Sequence, residues 1–289
     1  MQKIIAPERL ETSVQKFRSP LRYPGGKQKA ISRIGPLIPS GFLEYREPMV
    51  GGGSVYFFAR SENLFEKYWI NDKFSELISF WKTVQEPGAC SVLMNKLFHL
   101  KNQFNSPKKL KEYFLRMKDV DTTDSMETAL LFFFFNRVTF SGTTKAGGFS
   151  VEASKKRFTD SSIQRLEPMP EALDGTKITL GNYADVIKAD GERVFLFIDP
   201  PYVSANKLYG KNGELHNFQH AELADLLKNT KHKFLMTYDD HEDVRKLYRR
   251  WANVQQKLTV KEWSLRYGMN NCNTQKACKV GCELFISNY

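Results

Sequence analysis

The sequence predicts an α/β fold, in which the strands of a parallel sheet alternate with helices along the chain. A mainly helical insert near residues 86–170 interrupts this alternation. Short apolar runs that predict buried strands alternate with helical patterns before residue 86 and again after residue 170. Between these two blocks the alternation stops. A chain of 289 residues with 41% hydrophobic content is long enough for one sizeable core, or for a core with an inserted domain.

The first block begins with a turn-rich opening at residues 19–27, and an amphipathic helix is expected from Gln28. The elements that follow are predicted as strand, tight loop, helix, strand and helix. They are Phe42–Glu47, Pro48–Gly53, a helix from Ser54, Tyr68–Ile70 and Ser75–Val84. This order is typical of a βαβ unit and therefore indicates a parallel sheet.

The insert has its own start signals. Ser106-Pro107 predicts the start of a basic helix, and Asp124 with Glu127 three residues later can cap another. The glycine-rich stretch Thr139–Phe149 is interpreted as a hairpin.

After residue 170 the alternation of predicted strands and helices resumes. The predicted strands and helices are Lys177–Leu180, Tyr183–Ala189, Val194–Ile198, Phe218–Leu227, Lys233–Tyr238 and His241–Arg250. Val254–Trp263 and Glu283–Asn288 are expected to form a closing hairpin.

The composition narrows the class of protein. The net charge is +11, which favours a polyanionic partner such as nucleic acid, although a generically basic protein is the alternative. No apolar run has the length of a membrane span, and Met1–Ile5 does not resemble the start of a signal peptide. We therefore expect a cytoplasmic protein that does not associate with membranes.

The four cysteines do not predict a metal site. Cys272, Cys278 and Cys282 are spaced by five and three residues, which matches no common zinc pattern, and Cys90 stands alone. Free thiols in a reducing compartment are the expected state.

The most informative motif is Asp199-Pro200-Pro201-Tyr202, which follows the apolar run Val194–Ile198. Asp199 is a hydrogen-bond acceptor, and the prolines lack an N–H, so they fix the backbone and leave carbonyls free to accept. Tyr202 offers a flat aromatic face. This set suits a site that grips an exocyclic amino group while stacking on its ring. The plain alternative is a strand-ending turn.

A second motif combines Gly51-Gly52-Gly53 with Asp72. Glycines between a strand and a helix allow close approach of a ligand and expose helix amides. Asp72 lies 19 positions after Gly53, where nucleotide-binding α/β folds carry an acidic residue that binds the ribose hydroxyls. The alternatives are a tight turn and a helix cap. The segment Tyr23–Lys27 adds a possible phosphate loop or a simple turn, and together these features favour a nucleoside-containing cofactor.

These elements together resemble the Dam-like, alpha-group (D12 class) family of DNA adenine-N6 methyltransferases. The match rests mainly on Tyr23–Lys27, Glu47–Ser54, Asn71-Asp72 and the Asp-Pro-Pro-Tyr motif. Weaker support comes from Asn136-Arg137 with Gly142, Gly181–Asp185 and Glu283–Tyr289. The resemblance covers nearly the whole chain, with one departure at Met49, where the family usually has Phe.

The resemblance implies a Rossmann-like sheet that binds S-adenosylmethionine as methyl donor, without a metal. Residues 1–85 and 171–289 would form the catalytic domain, and residues 86–170 the inserted target-recognition domain. The residues implied for cofactor binding are Tyr23, Lys27, Gly51, Gly52, Gly53, Asp72, Asn182, Tyr183 and Asp199.

The resemblance also implies the chemistry. Asp199 and the Pro200 carbonyl would accept hydrogen bonds from the two N–H groups of an adenine N6 amino group. Tyr202 would stack on the base, and Pro201 completes the catalytic motif. The adenine must first leave the duplex, because its amino group is unreachable inside the stack.

Double-stranded DNA is the implied partner, and basic residues outnumber acidic ones in the insert. The candidate phosphate-binding residues are Lys108, Lys109, Lys155, Lys156 and Arg157, with a solvated helix face as the alternative. Arg137 could read a guanine or pair internally, and the Thr139–Phe149 hairpin could enter a groove of the DNA. We expect a monomer, and a cognate restriction endonuclease is a candidate partner.

Three alternatives stay open on the sequence alone. A cytosine-N4 or RNA-adenine methyltransferase would use the same cofactor, although Asp199 favours adenine over cytosine. A catalytically silent DNA-binding regulator would keep the fold, but both main motifs are intact. A dinucleotide-dependent oxidoreductase is disfavoured because the G-x-G-x-x-G motif is absent.

Overall fold

The computed structural model describes residues 16–203, 218–249, 251, 258–266 and 280–289. Its centre is a seven-stranded sheet. In chain order the strands β1–β7 are Glu44–Glu47, Lys67–Asp72, Lys177–Leu180, Val194–Ile198, Lys233–Asp239, Thr259–Arg266 and Val280–Ser287. The predicted strands are all present, although residues 254–257 of the last predicted hairpin lie outside the described residues.

The strands are arranged in the order β3-β2-β1-β4-β5-β7-β6. The pairs β1–β2, β1–β4, β2–β3 and β4–β5 are parallel. β7 is antiparallel to both β5 and β6, and the last two strands form the expected closing hairpin. The predicted α/β fold class, with a largely parallel Rossmann-like sheet, is therefore confirmed.

Helices precede the first strand and lie between most of the later strands. In chain order α1–α12 are Ile31–Ile34, Ser54–Ser61, Ser75–Gln85, Pro87–Gln103, Pro107–Met117, Ser125–Val138, Val151–Lys156, Asp160–Gln164, Met169–Leu173, Tyr183–Lys188, His220–Lys228 and Glu242–Arg249. The predicted cap of α6 is present, because the Asp124 carboxylate accepts the Glu127 N–H at 2.7 Å.

The core lies on both faces of β4, whose five residues are all buried. Phe195 and Phe197 belong to the hydrophobic cluster on one face, whereas Val194, Leu196 and Ile198 belong to the cluster on the other. Successive side chains of a strand point to opposite faces, so one apolar run serves two layers. This explains why β4 is apolar throughout rather than alternating.

The helices between β2 and β3 share the core of one sheet face. α6 is buried along most of its length, and its Phe133 ring stacks on Phe80 of α3 with centroids 5.9 Å apart. α6 thus packs directly against α3, the helix that follows β2, through aromatic side chains.

Two predicted elements differ from the structure. Thr139–Phe149 is not a hairpin of paired strands but a loop closed by one antiparallel bridge. Gly142 in this loop has a φ of 76°, and a Cβ there would lie 2.2 Å from the Arg22 carbonyl oxygen. The helix expected from Gln28 is short, with 3-10 turns at Lys27–Ala30 and Gly35–Leu37 on either side of α1. Pro36 ends it because proline lacks the N–H that a continuing helix requires.

In the described parts of the chain, every helix is too short or too polar to cross a lipid bilayer. Cys90 is buried and Cys282 is exposed, and both are free thiols. The interpretations that concern Met1–Ile5, Cys272 and Cys278 fall outside the described residues.

Candidate active site

A cavity of about 560 Å³ opens at the carboxyl ends of β1, β2 and β4. This is the edge at which open α/β sheets bind ligands. The structure brings all of the sequence-predicted catalytic and cofactor residues to its walls: Tyr23, Lys27, Gly51, Gly52, Gly53, Asp72, Asn182, Tyr183, Asp199, Pro200, Pro201 and Tyr202.

The glycine loop between β1 and α2 packs against Tyr23. A Cβ at Gly51 would lie 2.8 Å from the Tyr23 ring, and one at Gly52 would lie 2.9 Å from the Tyr23 Cβ. Gly53 directly precedes α2 and has a φ of 66°, a backbone angle that residues with a side chain rarely adopt. The glycines therefore allow the loop to lie on Tyr23 and to turn into the helix, with its N-terminus at the cavity.

Asp72, the last residue of β2, fastens this loop. Its Oδ2 accepts the Gly51 N–H at 2.9 Å, and its Oδ1 accepts the Phe74 N–H at 3.0 Å. Burial raises the pKa of the Asp72 carboxyl above its ordinary value. The Lys73 backbone N–H also donates to this carboxylate, which has about four lone-pair sites in all, so acceptor capacity remains for a ligand hydroxyl.

Asp199, directly after β4, is held on both carboxylate oxygens. The Lys27 ammonium lies 2.6 Å from Oδ2, and the Thr237 hydroxyl donates to Oδ1 at 2.7 Å. Lys27 is only 4% exposed, and it also donates to the Gly25 carbonyl at 2.8 Å. Its ammonium lies 4.9 Å from the centre of the Tyr202 ring. Lys27 and Asp199 belong to separate sequence motifs, and the fold joins them in one ion pair.

Aromatic rings form part of the cavity wall. Tyr183, at the start of α10, lies 5.4 Å from Phe218, centroid to centroid. Neighbouring Asn182 caps α10 by accepting the Ala184 N–H at 2.9 Å. Phe218 was not among the sequence-predicted site residues, because it lies just before α11 with no motif around it.

Glu47 is a second site residue that was not among the sequence-predicted ones. It is the last residue of β1, lines the cavity and is 3% exposed. The Tyr45 hydroxyl donates to its Oε2 at 2.6 Å. Burial raises the pKa of Glu47 to about 8, and the carboxylates of Asp199 and Asp72 add to this effect. Its position at a strand end beside the glycine loop is the signal that could have identified it.

The candidate DNA-binding residues are distributed over the insert and do not line the cavity. Lys108 and Lys109 are exposed on α5. Lys155 and Lys156 are exposed on α7, followed by exposed Arg157. Within this set, Lys156 pairs with Glu152 at 2.9 Å, which is a surface contact between successive helical turns.

Arg137 differs from the exposed lysines because it is only 3% exposed. Its guanidinium lies over the Phe133 ring at 5.0 Å, and its buried Nε and Nη2 have no hydrogen-bond partner among the described residues. Burial lowers the pKa of Arg137 to about 9, and Arg165, Arg22 and Arg157 add to the effect.

Comparison with known proteins gives a family. Residues 23–264 match the family model described as D12 class N6 adenine-specific DNA methyltransferase. Over 245 residues the chain is 31% identical to the DNA N-6-adenine-methyltransferase of Escherichia phage P1, a match covering 80% of this chain and 31% of the phage protein. The chain therefore spans about a third of that relative's length.

Two further relatives match over more of their own length. The type II methyltransferase M.MjaIII of Methanocaldococcus jannaschii is 28% identical, with 65% of this chain and 70% of that protein covered. M.CviBI, a type II methyltransferase of Paramecium bursaria Chlorella virus NC1A, is 25% identical, with 79% and 85% covered.

Among solved structures, the rRNA methyltransferase AviRa from Streptomyces viridochromogenes superimposes with a TM-score of 0.44 at 12% identity, covering 99% of this chain and 96% of that one. The family model, by contrast, covers most of this chain and includes every motif from Tyr23 to Tyr202. The resemblance inferred from those motifs is confirmed, and the chain belongs to the D12 class N6 adenine-specific DNA methyltransferase family.

Proposed function

We propose that this chain transfers a methyl group from S-adenosylmethionine to the N6 amino group of an adenine that is flipped out of duplex DNA. The observation that carries the proposal is the position of Asp199. Its carboxylate lies at the wall of the cavity, held by Lys27 and Thr237, in a chain of the adenine-N6 methyltransferase family.

The cavity is compatible with S-adenosylmethionine in size and chemistry. Its volume of about 560 Å³ lies in the range of small-molecule sites. The carboxyl groups of Glu47, Asp72 and Glu222 line it and suit hydroxyl and cationic donors, and Tyr183 with Phe218 offers flat apolar faces. S-adenosylmethionine supplies an electrophilic methyl group carried on a positively charged sulfur.

Each part of the cavity wall has a proposed task in holding this donor. Asp72 would accept from the ribose hydroxyls, and the Gly51–Gly53 backbone would pass close to the ligand. Tyr23 and Lys27 would close the pocket from the N-terminal turn. Asn182 and Tyr183 would flank the adenine of the donor. These assignments follow the family motifs and rest on the shared cavity lining.

The chemical step depends on the amino group of the target base. The N6 lone pair of adenine is delocalised into the ring and is therefore a poor nucleophile. Asp199 and the Pro200 carbonyl would accept hydrogen bonds from its two N–H groups and favour a pyramidal nitrogen whose lone pair points at the methyl group. The new N–C bond would form as the C–S bond of the sulfonium breaks, so that S-adenosylhomocysteine leaves with a neutral sulfur. One N6 proton would then pass to the Asp199 carboxylate or to water. Tyr202 would stack on the base and hold its plane.

The insert is proposed to bind the DNA around the flipped base. Residues 86–170 would form the target-recognition domain, and residues 1–85 and 171–289 the catalytic domain. Lys108, Lys109, Lys155, Lys156 and Arg157 would contact phosphates, which position the protein without reading sequence. The buried guanidinium of Arg137 would need a local opening to reach DNA.

The biological setting is a separate proposal. M.MjaIII and M.CviBI carry the name type II methyltransferase, which supports a cognate restriction endonuclease as a partner of this chain. A cytoplasmic location and a monomeric state are further parts of this proposal; the net charge of +11 supports its DNA partner.

A methyl-transfer assay with defined substrates tests the proposal. The purified chain is incubated with S-adenosylmethionine and either duplex DNA or RNA, and the nucleosides are identified by mass spectrometry. We expect N6-methyladenine in duplex DNA alone, and a rate at least about a hundredfold lower for Asp199→Ala, which should keep cofactor binding. N4-methylcytosine or methylated RNA as the product would contradict the proposal.

A further inference from the structure

Three consecutive residues of β5 each contact the loop that contains the Asp-Pro-Pro-Tyr motif. Thr237 donates to Asp199 Oδ1 at 2.7 Å. The next residue, Tyr238, stacks on the Tyr202 ring with centroids 6.1 Å apart and planes 23° apart. Asp239 then accepts the Val203 N–H at 3.3 Å. The end of β5 is thus a template along which residues 199–203 lie.

The sheet register explains why Thr237 meets Asp199. β4 and β5 are parallel neighbours, and Ile198 is paired with Met236. One residue further along each strand are Asp199 and Thr237, so the two side chains meet where β4 ends and β5 continues. β5 is paired on its other side with β7, which fixes its position from both edges.

Thr237 itself has no access to a ligand in the cavity. It is 0% exposed and is not part of the cavity wall, whereas Asp199 is on that wall. Any effect of the hydroxyl on methyl transfer must therefore act through the carboxylate.

A carboxylate needs such a partner if its direction is to be defined. Rotation of an Asp side chain about its last torsion is broad, so an unsupported carboxylate samples many planes. Lys27 holds Oδ2, but through a long side chain with several rotatable bonds. Thr237 holds Oδ1 from a buried strand through a β-branched side chain with restricted rotamers.

We infer that Thr237 is a positioning residue for methyl transfer. Its hydroxyl occupies one lone pair of Asp199 Oδ1 and sets the carboxylate plane, so that a remaining lone pair faces the N6 amino group of the bound adenine. The inference deepens the proposed function and rests on it. Orientation of this kind contributes to rate without contributing to the binding of substrates.

Variants that remove the Thr237 hydroxyl while keeping the shape of the side chain test the inference. Thr237→Val keeps the β-branched side chain, and Thr237→Ser keeps the donor. Thr237→Ala against Thr237→Ser gives a second comparison that removes only the hydroxyl, should the valine variant fold poorly. Thr83→Val is the matched control, because Thr83 is a buried threonine whose hydroxyl bonds the Ser79 carbonyl within α3.

Four quantities are measured for each variant: single-turnover methyl transfer to duplex DNA, affinity for S-adenosylmethionine, affinity for DNA and the thermal midpoint. We expect Thr237→Val, and Thr237→Ala relative to Thr237→Ser, to slow transfer by about tenfold to a hundredfold, the range for a hydrogen bond to a charged group. Both affinities should change less than about threefold. Thr237→Ser should restore most of the rate, and Thr83→Val should match the wild type.

The outcomes separate the two claims. Wild-type transfer in Thr237→Val would overturn the inference, and so would equal rates for Thr237→Ala and Thr237→Ser, while adenine methylation by the wild type keeps the proposed function. A parallel loss of rate and of cofactor affinity in Thr237→Val would assign a general structural role and would also overturn the inference. If the wild type methylates no adenine in DNA, the proposed function itself fails.

Discussion

The Lys27 ammonium lies 2.6 Å from Asp199 Oδ2, although the two residues are 172 positions apart in the chain. Lys27 is almost fully buried and Asp199 is 21% exposed. The ion pair joins the N-terminal turn to the loop after β4, at the wall of the cavity. Two motifs that are far apart in the sequence therefore each supply one residue of this ion pair.

Replacement of Lys27 should damage both stability and catalysis. In Lys27→Met, Thr237 is the side-chain donor that remains to the partly buried Asp199 carboxylate among the described residues, and removal of one partner of a buried pair is costly. We expect a lower thermal midpoint and methyl transfer slowed by more than about tenfold. Lys29→Met is the control, because Lys29 is exposed in the same turn. Wild-type rates in Lys27→Met would show that the pair is dispensable.

The glycine loop predicts a steric phenotype. A Cβ at Gly51 or Gly52 would collide with Tyr23, so Gly51→Ala and Gly52→Ala should destabilise the fold by about 1–3 kcal/mol and weaken cofactor binding. Gly88→Ala is the control: a Cβ there meets nothing within 4 Å, and Gly88 lies in α4, where alanine is favoured. Chemical unfolding and calorimetric binding measure both effects. Equal stability of the three variants would contradict the packing described for Tyr23.

Glu47 predicts a pH dependence of stability. Burial raises its pKa to about 8 from an ordinary value of 4.5, so between these values the folded chain holds a proton that the unfolded chain has released. The free energy of unfolding should therefore fall as pH rises from about 4.5 to about 8 through this group. Glu47→Gln removes the titration and keeps an acceptor for the Tyr45 hydroxyl.

Urea unfolding of both proteins at several pH values isolates this contribution. The wild type should lose stability relative to Glu47→Gln across that interval, and the difference should level off above a pH of about 8. Parallel stability curves for the two proteins would show that Glu47 has an ordinary pKa.

The basic surface of the insert predicts a salt-dependent DNA affinity. Lys108→Ala with Lys109→Ala should weaken DNA binding several-fold and reduce the slope of log K against log salt by about 0.9 for each phosphate that is no longer neutralised. The control is Lys67→Ala with Lys188→Ala, which removes the same charge. Lys67 begins β2, at the strand end opposite the cavity, and Lys188 ends α10. Equal slopes for the two double variants would exclude Lys108 and Lys109 as phosphate-binding residues.

Much of the fold and the cavity could be predicted from the sequence because its signals are local. Apolar runs such as Val194–Ile198 have strand length, and Asp124 with Glu127 forms a cap within one turn. The motifs at Tyr23, Gly51–Gly53 and Asp199 are short and specific, and each of them lies at a strand end or a helix start.

The features that escaped sequence-based prediction depend on packing between distant segments. Thr237 has no motif, and only the β4–β5 register brings it to Asp199. Gly142 is required by the Arg22 carbonyl, 120 positions away by sequence number, and so the loop Thr139–Phe149 is shaped by tertiary packing rather than by hairpin propensity. The burial of Arg137 likewise follows from the packing of α6, and a single arginine in the sequence gives no signal that predicts it.

The proposed role of Asp199, to direct methyl transfer to adenine N6 in DNA, can be examined by sequencing modified DNA. Genomic DNA is read by a long-read method that detects modified bases, from a methylation-free host that expresses either the wild-type chain or Asp199→Ala at equal level. We predict N6-methyladenine within one short recurring sequence for the wild type and none for the variant. Modified cytosines in place of adenines, or equal adenine methylation by the variant, would contradict this role.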